Sequence, residues 1–479
     1  MKNSFVNALK WSFLAEIFTR ILQPGIFLIL AIFLNPEDFG VMTSALMVIA
    51  FIEIFWEAGM SKAVIQRQTQ VKEAMNVAFF INVISGFFFA AVLFFSSDFI
   101  ANEIFKNKEV SKVLKFMSLM IIFASLSSMQ QAYLMKYMKF DSIFWVKLVA
   151  FGVPGIISIP LAFFGYGYWA LVFGAIFGQF CQLCIFWKIS DWRPSFKVIS
   201  KVSREISIFG SWVWLTGILI WAFAWLDMFF VGRFYGTEAL GLYRFGYQFS
   251  SLIFLLLFSF LSPVLYSHLS EKVSDLRFIS NYYSIVCQII SIFSVPVCFF
   301  IFIFQEPIVN IFFDQKWIGL GGIMGPLAIA HGFAWIVGMN GEFYRSLGKP
   351  HVETYAFIPL IGIYVFGYLY AINFDLQTFV NIRLFLTILA VFLHLIIISF
   401  YLKFSILTFL SKLFLYTGLL WISLTFLSSL TVDFSTYIKI FLVTILFAPF
   451  TVLAALVSFG NKIFKEIWFL INEKKNQSD

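Results

Sequence analysis

Residues 1–40 read MKNSFVNALKWSFLAEIFTRILQPGIFLILAIFLNPEDFG, and this stretch decides the fold class. A short basic head, Met1 to Lys10, runs into an apolar segment that extends to Leu34. The segment is too long for the apolar core of a signal peptide, and no small-residue cleavage site follows it. It exceeds the roughly 20 apolar residues that cross a bilayer. The turn after it, Asn35-Pro36-Glu37-Asp38, carries no basic residue, and a second apolar run follows. A basic head, an apolar span and an acidic turn predict a first membrane helix with its N-terminus in the cytoplasm.

The pattern continues along all 479 residues, which are 61% hydrophobic and 12% charged, with a mean hydropathy of +0.92. A soluble domain carries about twice that charged fraction. Lipid removes the need for a polar shell, so helices can be apolar all round. Spans are predicted near 10–34, 40–65, 74–97, 113–135, 142–164, 166–188, 206–235, 241–267, 279–305, 319–341, 352–373, 376–402, 405–430 and 434–458. The chain therefore reads as an all-α polytopic membrane protein of about 14 helices. Glycines mark its tightest hairpin, Gly165-Tyr166-Gly167. Trp169, Trp187, Trp192 and Trp317 recur at span ends, as an interfacial belt requires.

Charge distribution tests the spans. The inner segments 1–10, 61–73, 136–141, 188–205, 268–277, 342–353, 403–412 and 460–479 hold about 22 of the 33 Lys and Arg residues, and the outer ones about 8. Arg20, Lys147 and Arg383 fall within spans. This bias predicts an inner-membrane protein with both termini cytoplasmic. It also accounts for the sequence pI of about 9.1 without nucleic acid as a partner. No loop is long enough to fold alone, so any activity is built from helices and short loops. Cys181-Gln182-Leu183-Cys184 has the spacing of a metal or redox motif. It lies in an apolar helix without a second pair, so we read small thiols, no metal and no cofactor.

A repeat recurs at an offset of 201 residues. Glu37-x-x-Gly40 matches Glu238-x-x-Gly241, and Ser61 matches Ser262. An unchanged offset across a hairpin predicts two six-helix halves of like orientation, the parallel repeat of many transporters. The lobes are residues 1–188 and 206–402, joined by the basic cytoplasmic linker 189–205. Residues 403–458 are an added helix hairpin and 459–479 a cytoplasmic tail.

Ionisable groups at bilayer depth are costly and therefore candidate functional groups. Glu16 and Arg20 lie four residues apart on one face of span 1, and Pro24-Gly25 should kink the helix above them. Glu53 and Glu57 share a face of span 2. At 1.5 Å per residue, Arg20 lies about 15 Å, Glu57 about 12 Å and Glu53 about 18 Å from the cytoplasmic end. These depths allow either a switchable cluster lining a cavity or a permanent pair joining two helices. Asp227 lies in span 7 near Arg233, Arg244 opens span 8, Lys147 begins span 5 and Arg383 sits in span 12. A transported anion needs cations facing one path, and guanidinium suits phosphate oxygens. Arg20, Arg244, Arg383 and Lys147 are the substrate-binding candidates. Glu16, Glu53, Glu57, Asp227 and Arg233 are the gating or ion-coupling candidates. Headgroup snorkelling competes for Arg233, Arg244 and Lys147, and packing competes for His331 and His394.

Phe33-Leu34-Asn35-Pro36-Glu37-Asp38-Phe39-Gly40, then Glu57-Ala58-Gly59-Met60-Ser61 and Ile65-Gln66-Arg67, resemble the opening of bacterial polysaccharide exporters of the Wzx type. Trp192-Arg193-Pro194-Ser195 resembles their mid-chain inner-loop motif. Leu226-Asp227, Gly232-Arg233, Gly236 and Leu240-Gly241-Leu242-Tyr243 resemble their seventh-helix signature, and GEFYRSLGKP (341–350) a later inner loop. The likeness covers spans 1 to 11 and fades in the last three. It implies the fold of the multidrug/oligosaccharidyl-lipid/polysaccharide superfamily, two six-helix lobes around a central cavity. It implies a flippase, not an enzyme, for undecaprenyl-diphosphate-linked oligosaccharides in O-antigen, capsule or exopolysaccharide assembly. Its partners would be that lipid-linked substrate, the bilayer, a polysaccharide polymerase and glycosyltransferases. Asp227, Gly232 and Gly241 carry over by position, and Trp212, Trp214, Trp221 and Trp225 are candidate sugar or lipid contacts beside a plain packing role. Two rivals stand: a small-molecule efflux pump of the same superfamily, with a cation-poor cavity, and a polyprenyl-dependent glycosyltransferase. The latter would use Glu37-Asp38 but usually has a large outer domain. Those acids also suit a helix N-terminus.

Overall fold

The first apolar run and the turn behind it set the pattern for every later element. In a computed structural model, residues 2–196, 200–271, 276–349, 351–431 and 435–461 are described. Helix α1, Lys2–Phe33, ends where the acidic turn begins, and α2 spans Pro36–Glu57. Pro36 starts α2 with its ring angle already helical, Glu37 and Asp38 sit in its first turn, and the Asn35 amide donates to Asp38 Oδ2 at 2.9 Å. Then come α3 (Met60–Gln66), α4 (Val71–Phe99), α5 (Lys108–Lys136), α6 (Phe140–Phe163), α7 (Tyr168–Ile189), α8 (Ser200–Phe234) and α9 (Gly236–Glu271). The remainder is α10 (Leu276–Ile303), α11 (Gln305–Phe312), α12 (Leu320–Ile336), α13 (Asn340–Ser346), α14 (His351–Ala371), α15 (Leu376–Leu402), α16 (Ile406–Leu430) and α17 (Thr436–Phe459).

Among the described residues, 12 helices are long and apolar enough to cross a membrane. Helices α1 and α9, with 32 and 36 residues, also exceed the length a span needs. The fold is thus all-helical and polytopic, with each predicted span falling on one of these 14 helices. One span is corrected. Residues 40–65 are not one helix: α2 stops at Glu57, Ala58 turns left-handed at φ 40°, and α3 restarts at Met60. Glu57 therefore ends its spanning helix and does not lie about 12 Å inside it. The cause is local, because the Glu57 carboxylate accepts from the Gly59 and Ser61 amides at 2.9 and 3.2 Å and caps the new helix.

The chain resolves into two compact units, residues 1–245 and 246–479. In the first, α1 packs on α6, α4 on α5 and α6 on α7. Gly174 and Gly178 of α7 form a GxxxG step that lies directly against Pro154 and Ser158 of α6. In the second, α12 lies between α10 and α15, and the α16–α17 hairpin docks on α10. Tyr416 is buried there and donates to the Ile292 carbonyl at 3.1 Å.

Alternate loops of the first unit gather at opposite ends, as an up-and-down path requires. At one end, the Asn107 amide donates to Glu37 (3.3 Å) and Thr237 (2.8 Å), and the Tyr168 hydroxyl donates to Glu109. At the other, Lys136 donates to the Ile65 and Arg67 carbonyls, and Lys139 pairs with Asp191 at 2.7 Å. That hydrogen bond holds the Asp191 carboxyl below its ordinary range. Asn76 at the start of α4 exchanges two hydrogen bonds with Ser195, at 2.7 and 3.1 Å. Trp192 is buried against Phe79, with ring centroids 5.8 Å apart. The mid-chain motif Trp192-Arg193-Pro194-Ser195 therefore anchors the linker to the first unit. Trp192 and Trp317 are both buried, so these two are packing residues and not part of an interfacial belt.

Candidate functional site

The breaking of span 2 at Glu57 creates the first site. Helix α3 turns away, and a cavity of about 470 Å³ is lined by the Glu57 end of α2, α3, the last four turns of α5 and the second half of α7. Glu53 and Glu57 both line it, as their shared helix face requires. Glu57 is committed to capping α3. Glu53 has no hydrogen-bond or salt-bridge partner among the described residues. Lys62 lines the same space, with Gln131, Gln179, Gln182 and Ser127. These amides carry no charge to mark them in the sequence. The signal was present, since Gln179 and Gln182 are three residues apart in an otherwise apolar span and share a face.

A second cluster surrounds the α8–α9 hairpin. Asp227 is 5% exposed and accepts from the Tyr243 hydroxyl at 2.6 Å. Arg244 lies 5.4 Å above the Trp225 ring and 3.7 Å from the Met228 sulfur. Asp227 and Arg244, separate candidates in the sequence, thus share one neighbourhood through adjacent residues of two helices. Arg233 stands at the hairpin itself, 5.8 Å from the Phe234 ring. Of the tryptophans, Trp221 donates to the Met47 carbonyl at 3.2 Å and Trp214 meets Phe55 edge-on. Both are packing contacts between α8 and α2. The side chain of Trp212 lies outside the described residues.

The third cluster is in the second unit. Arg383 of α15 lies 5.5 Å from the Tyr247 ring, and Tyr247 meets His331 of α12 edge-on at 4.6 Å. His394 instead packs on Phe357. Lys147 is half-buried on α6. The side chains of Glu16 and Arg20 lie outside the described residues. Arg244 and Arg383 belong to different units.

The fourth feature is the point where the repeat meets itself. Gly40 of α2 and Gly241 of α9 face one another so closely that neither can carry a side chain. A Cβ on Gly40 would lie 1.7 Å from the Thr237 carbonyl oxygen, and one on Gly241 would lie 1.7 Å from that of Pro36. Thr237 stands 201 residues after Pro36, so the two contacts are equivalent under the sequence repeat. A local two-fold relation between the starts of α2 and α9 is the simplest geometry that does this.

Comparisons with known proteins give the class. Residues 29–320, more than half of the chain, match the family described as polysaccharide biosynthesis protein, and the chain belongs to that family. Among its relatives is the succinoglycan biosynthesis transport protein ExoT of Rhizobium meliloti, 23% identical over 71% of this chain and 69% of that one. The teichuronic acid biosynthesis protein TuaB of Bacillus subtilis is 20% identical over 73% of each chain. The lipopolysaccharide biosynthesis protein WzxC of Escherichia coli is 20% identical over 76% of this chain and 75% of its own. In three dimensions, the chain resembles the lipid II flippase MurJ in its inward closed conformation. The TM-score is 0.74 at 17% identity, covering 92% of this chain and 98% of that one. An inward-facing multidrug MATE transporter gives 0.62 at 12% identity, covering 81% and 94%. These two likenesses define the fold.

Proposed function

We propose that this protein is a flippase for undecaprenyl-diphosphate-linked oligosaccharide, moving it from the cytoplasmic to the periplasmic leaflet of a bacterial inner membrane by alternating access. The observation that carries the reading is the family match over residues 29–320, which covers the charged spans from Glu53 to Arg244. In that reading the lobes 1–188 and 206–402 exchange access, and both termini face the cytoplasm. The cations at bilayer depth supply the pyrophosphate site: Arg20, Lys147, Arg244 and Arg383, with guanidinium forks matching phosphate oxygens. Glu16, Asp227 and Arg233 serve gating or ion coupling. Of these, Asp227 stands in the chain between Trp225 and Met228, the two residues that Arg244 touches. A polymerase and glycosyltransferases would act before and after it on the same lipid-linked unit.

The experiment is depletion of this chain in its own host. Lipid-linked oligosaccharide should build up on the cytoplasmic side while surface polysaccharide falls, and re-expression should reverse both. Unchanged surface polymer on depletion would sink the reading and favour small-molecule efflux, the activity named for the MATE neighbour.

A further inference from the structure

The cavity of the first unit has the wrong charge for the pyrophosphate. Two carboxylates, Glu53 and Glu57, face it against one ammonium, Lys62. An anion placed there would meet net negative charge in a space of low dielectric. Its size, about 470 Å³, falls in the range of roughly 300–1,000 Å³ typical of small-molecule sites. The rest of its polar lining is neutral. Gln131, Gln179 and Gln182 each present a carboxamide that both donates and accepts. None of the three has a hydrogen-bond partner among the described residues, and neither has Glu53. Met120 and Met135 cover the remaining walls with adaptable apolar surface.

We infer that this cavity is a sugar subsite, in which the amides of Gln131, Gln179 and Gln182 and the carboxylate of Glu53 hold the hydroxyls of a pyranose ring. A ring of alternating donor–acceptor hydroxyls needs partners of both kinds, which three amides supply and an arginine cluster does not. One carboxylate fixes ring orientation, since it accepts from two neighbouring hydroxyls at once. Apolar walls suit the C–H faces of the ring. The place also fits, because the cavity opens among the ends of α2, α5 and α7 that the charge distribution assigns to the cytoplasm. That is the side from which a newly built lipid-linked glycan arrives. The inference rests on the flippase reading and divides its substrate, with the glycan held by the first unit and the pyrophosphate by the cations elsewhere.

The test uses the full-length protein in nanodiscs with three probes: undecaprenyl diphosphate alone, and the same lipid carrying N-acetylglucosamine or galactose. The wild type should hold at least one glycosylated form about tenfold tighter than the bare lipid, the worth of one or two hydrogen bonds. Gln179→Leu with Gln182→Leu should erase that difference and leave the affinity for bare lipid unchanged. Glu53→Gln, which alters no volume, repeats the test should the double variant fail to fold. Equal wild-type affinity for bare and glycosylated lipid overturns the sugar subsite and leaves the flippase reading standing. Binding of none of the three overturns both. Equal loss of all three in the variants shows a merely structural role. A sodium-dependent melting shift removed by Glu53→Gln, with no preference for sugar, reassigns the cavity to a cation and also overturns the inference.

Discussion

At the scale of single residues, the motifs that mark this family divide into anchors and working groups. Glu57 looked like a buried charge with a function, yet it spends both carboxylate oxygens on the backbone amides that begin α3. Replacing it with Ala should loosen that turn by about 0.5–2 kcal/mol, the usual worth of a cap, read as a lower melting temperature in detergent. Asn76 and Ser195 form a reciprocal pair that ties the basic linker to α4. Asn76→Ala removes both bonds and should cost about 1–3 kcal/mol, with protease cutting near residue 196 as the readout. Wild-type resistance in that variant would show that Trp192 alone holds the linker. Arg20, outside these motifs, is proposed for the working group. Arg20→Ala should abolish surface polysaccharide at unchanged protein level, and normal polymer would remove it from the pyrophosphate site.

At the scale of helices, the decisive contact is that of α2 with the start of α9. Two backbones approach through Gly40 and Gly241, and any Cβ there would overlap a carbonyl oxygen. Gly40→Ala or Gly241→Ala must therefore push the helices apart. Overpacking of this kind costs about 1–3 kcal/mol or more. The expected result is a lowered melting temperature together with reduced surface polymer, since both helices begin at an end that the proposed alternating-access cycle must close. Gly25→Ala in α1, where nothing lies within 4 Å, should leave both readouts unchanged. Wild-type behaviour of both interface variants would mean the approach is dispensable.

At the scale of the whole molecule, the alternation of loops between two ends carries the topology. Contacts join the loops near residues 37, 107 and 237 at one end, and those near 67, 137 and 195 at the other. Reporter fusions at Ser195 and Arg345 should read cytoplasmic and one at Phe105 periplasmic. A reversal at any of the three would break the span assignment. The division into six, six and two helices can be checked by co-expressing 1–199 with 200–479, a cut placed before α8, which should restore surface polymer if the linker is only a tether.

Much of this architecture follows from the sequence itself. In lipid every backbone group must be bonded within its own helix, so hydropathy is enough to locate spans, and the placement of Lys and Arg predicts their direction. The offset of 201 residues was legible as the Glu-x-x-Gly that recurs in the first turns of α2 and α9. What the residues could not reveal was which polar groups share a space. Neutral amides carry no charge signature, and Gln131 lies 48 residues before Gln179. Only packing of α2, α3, α5 and α7 brings them to one cavity with Glu53. The fate of Glu57 was decided by the local break in its helix, since a carboxylate at a helix end is drawn to free amides that a continuous helix would not have offered. Tertiary structure also decided why Gly40 and Gly241 are glycines, because only the crossing of the two helices leaves no room for a side chain.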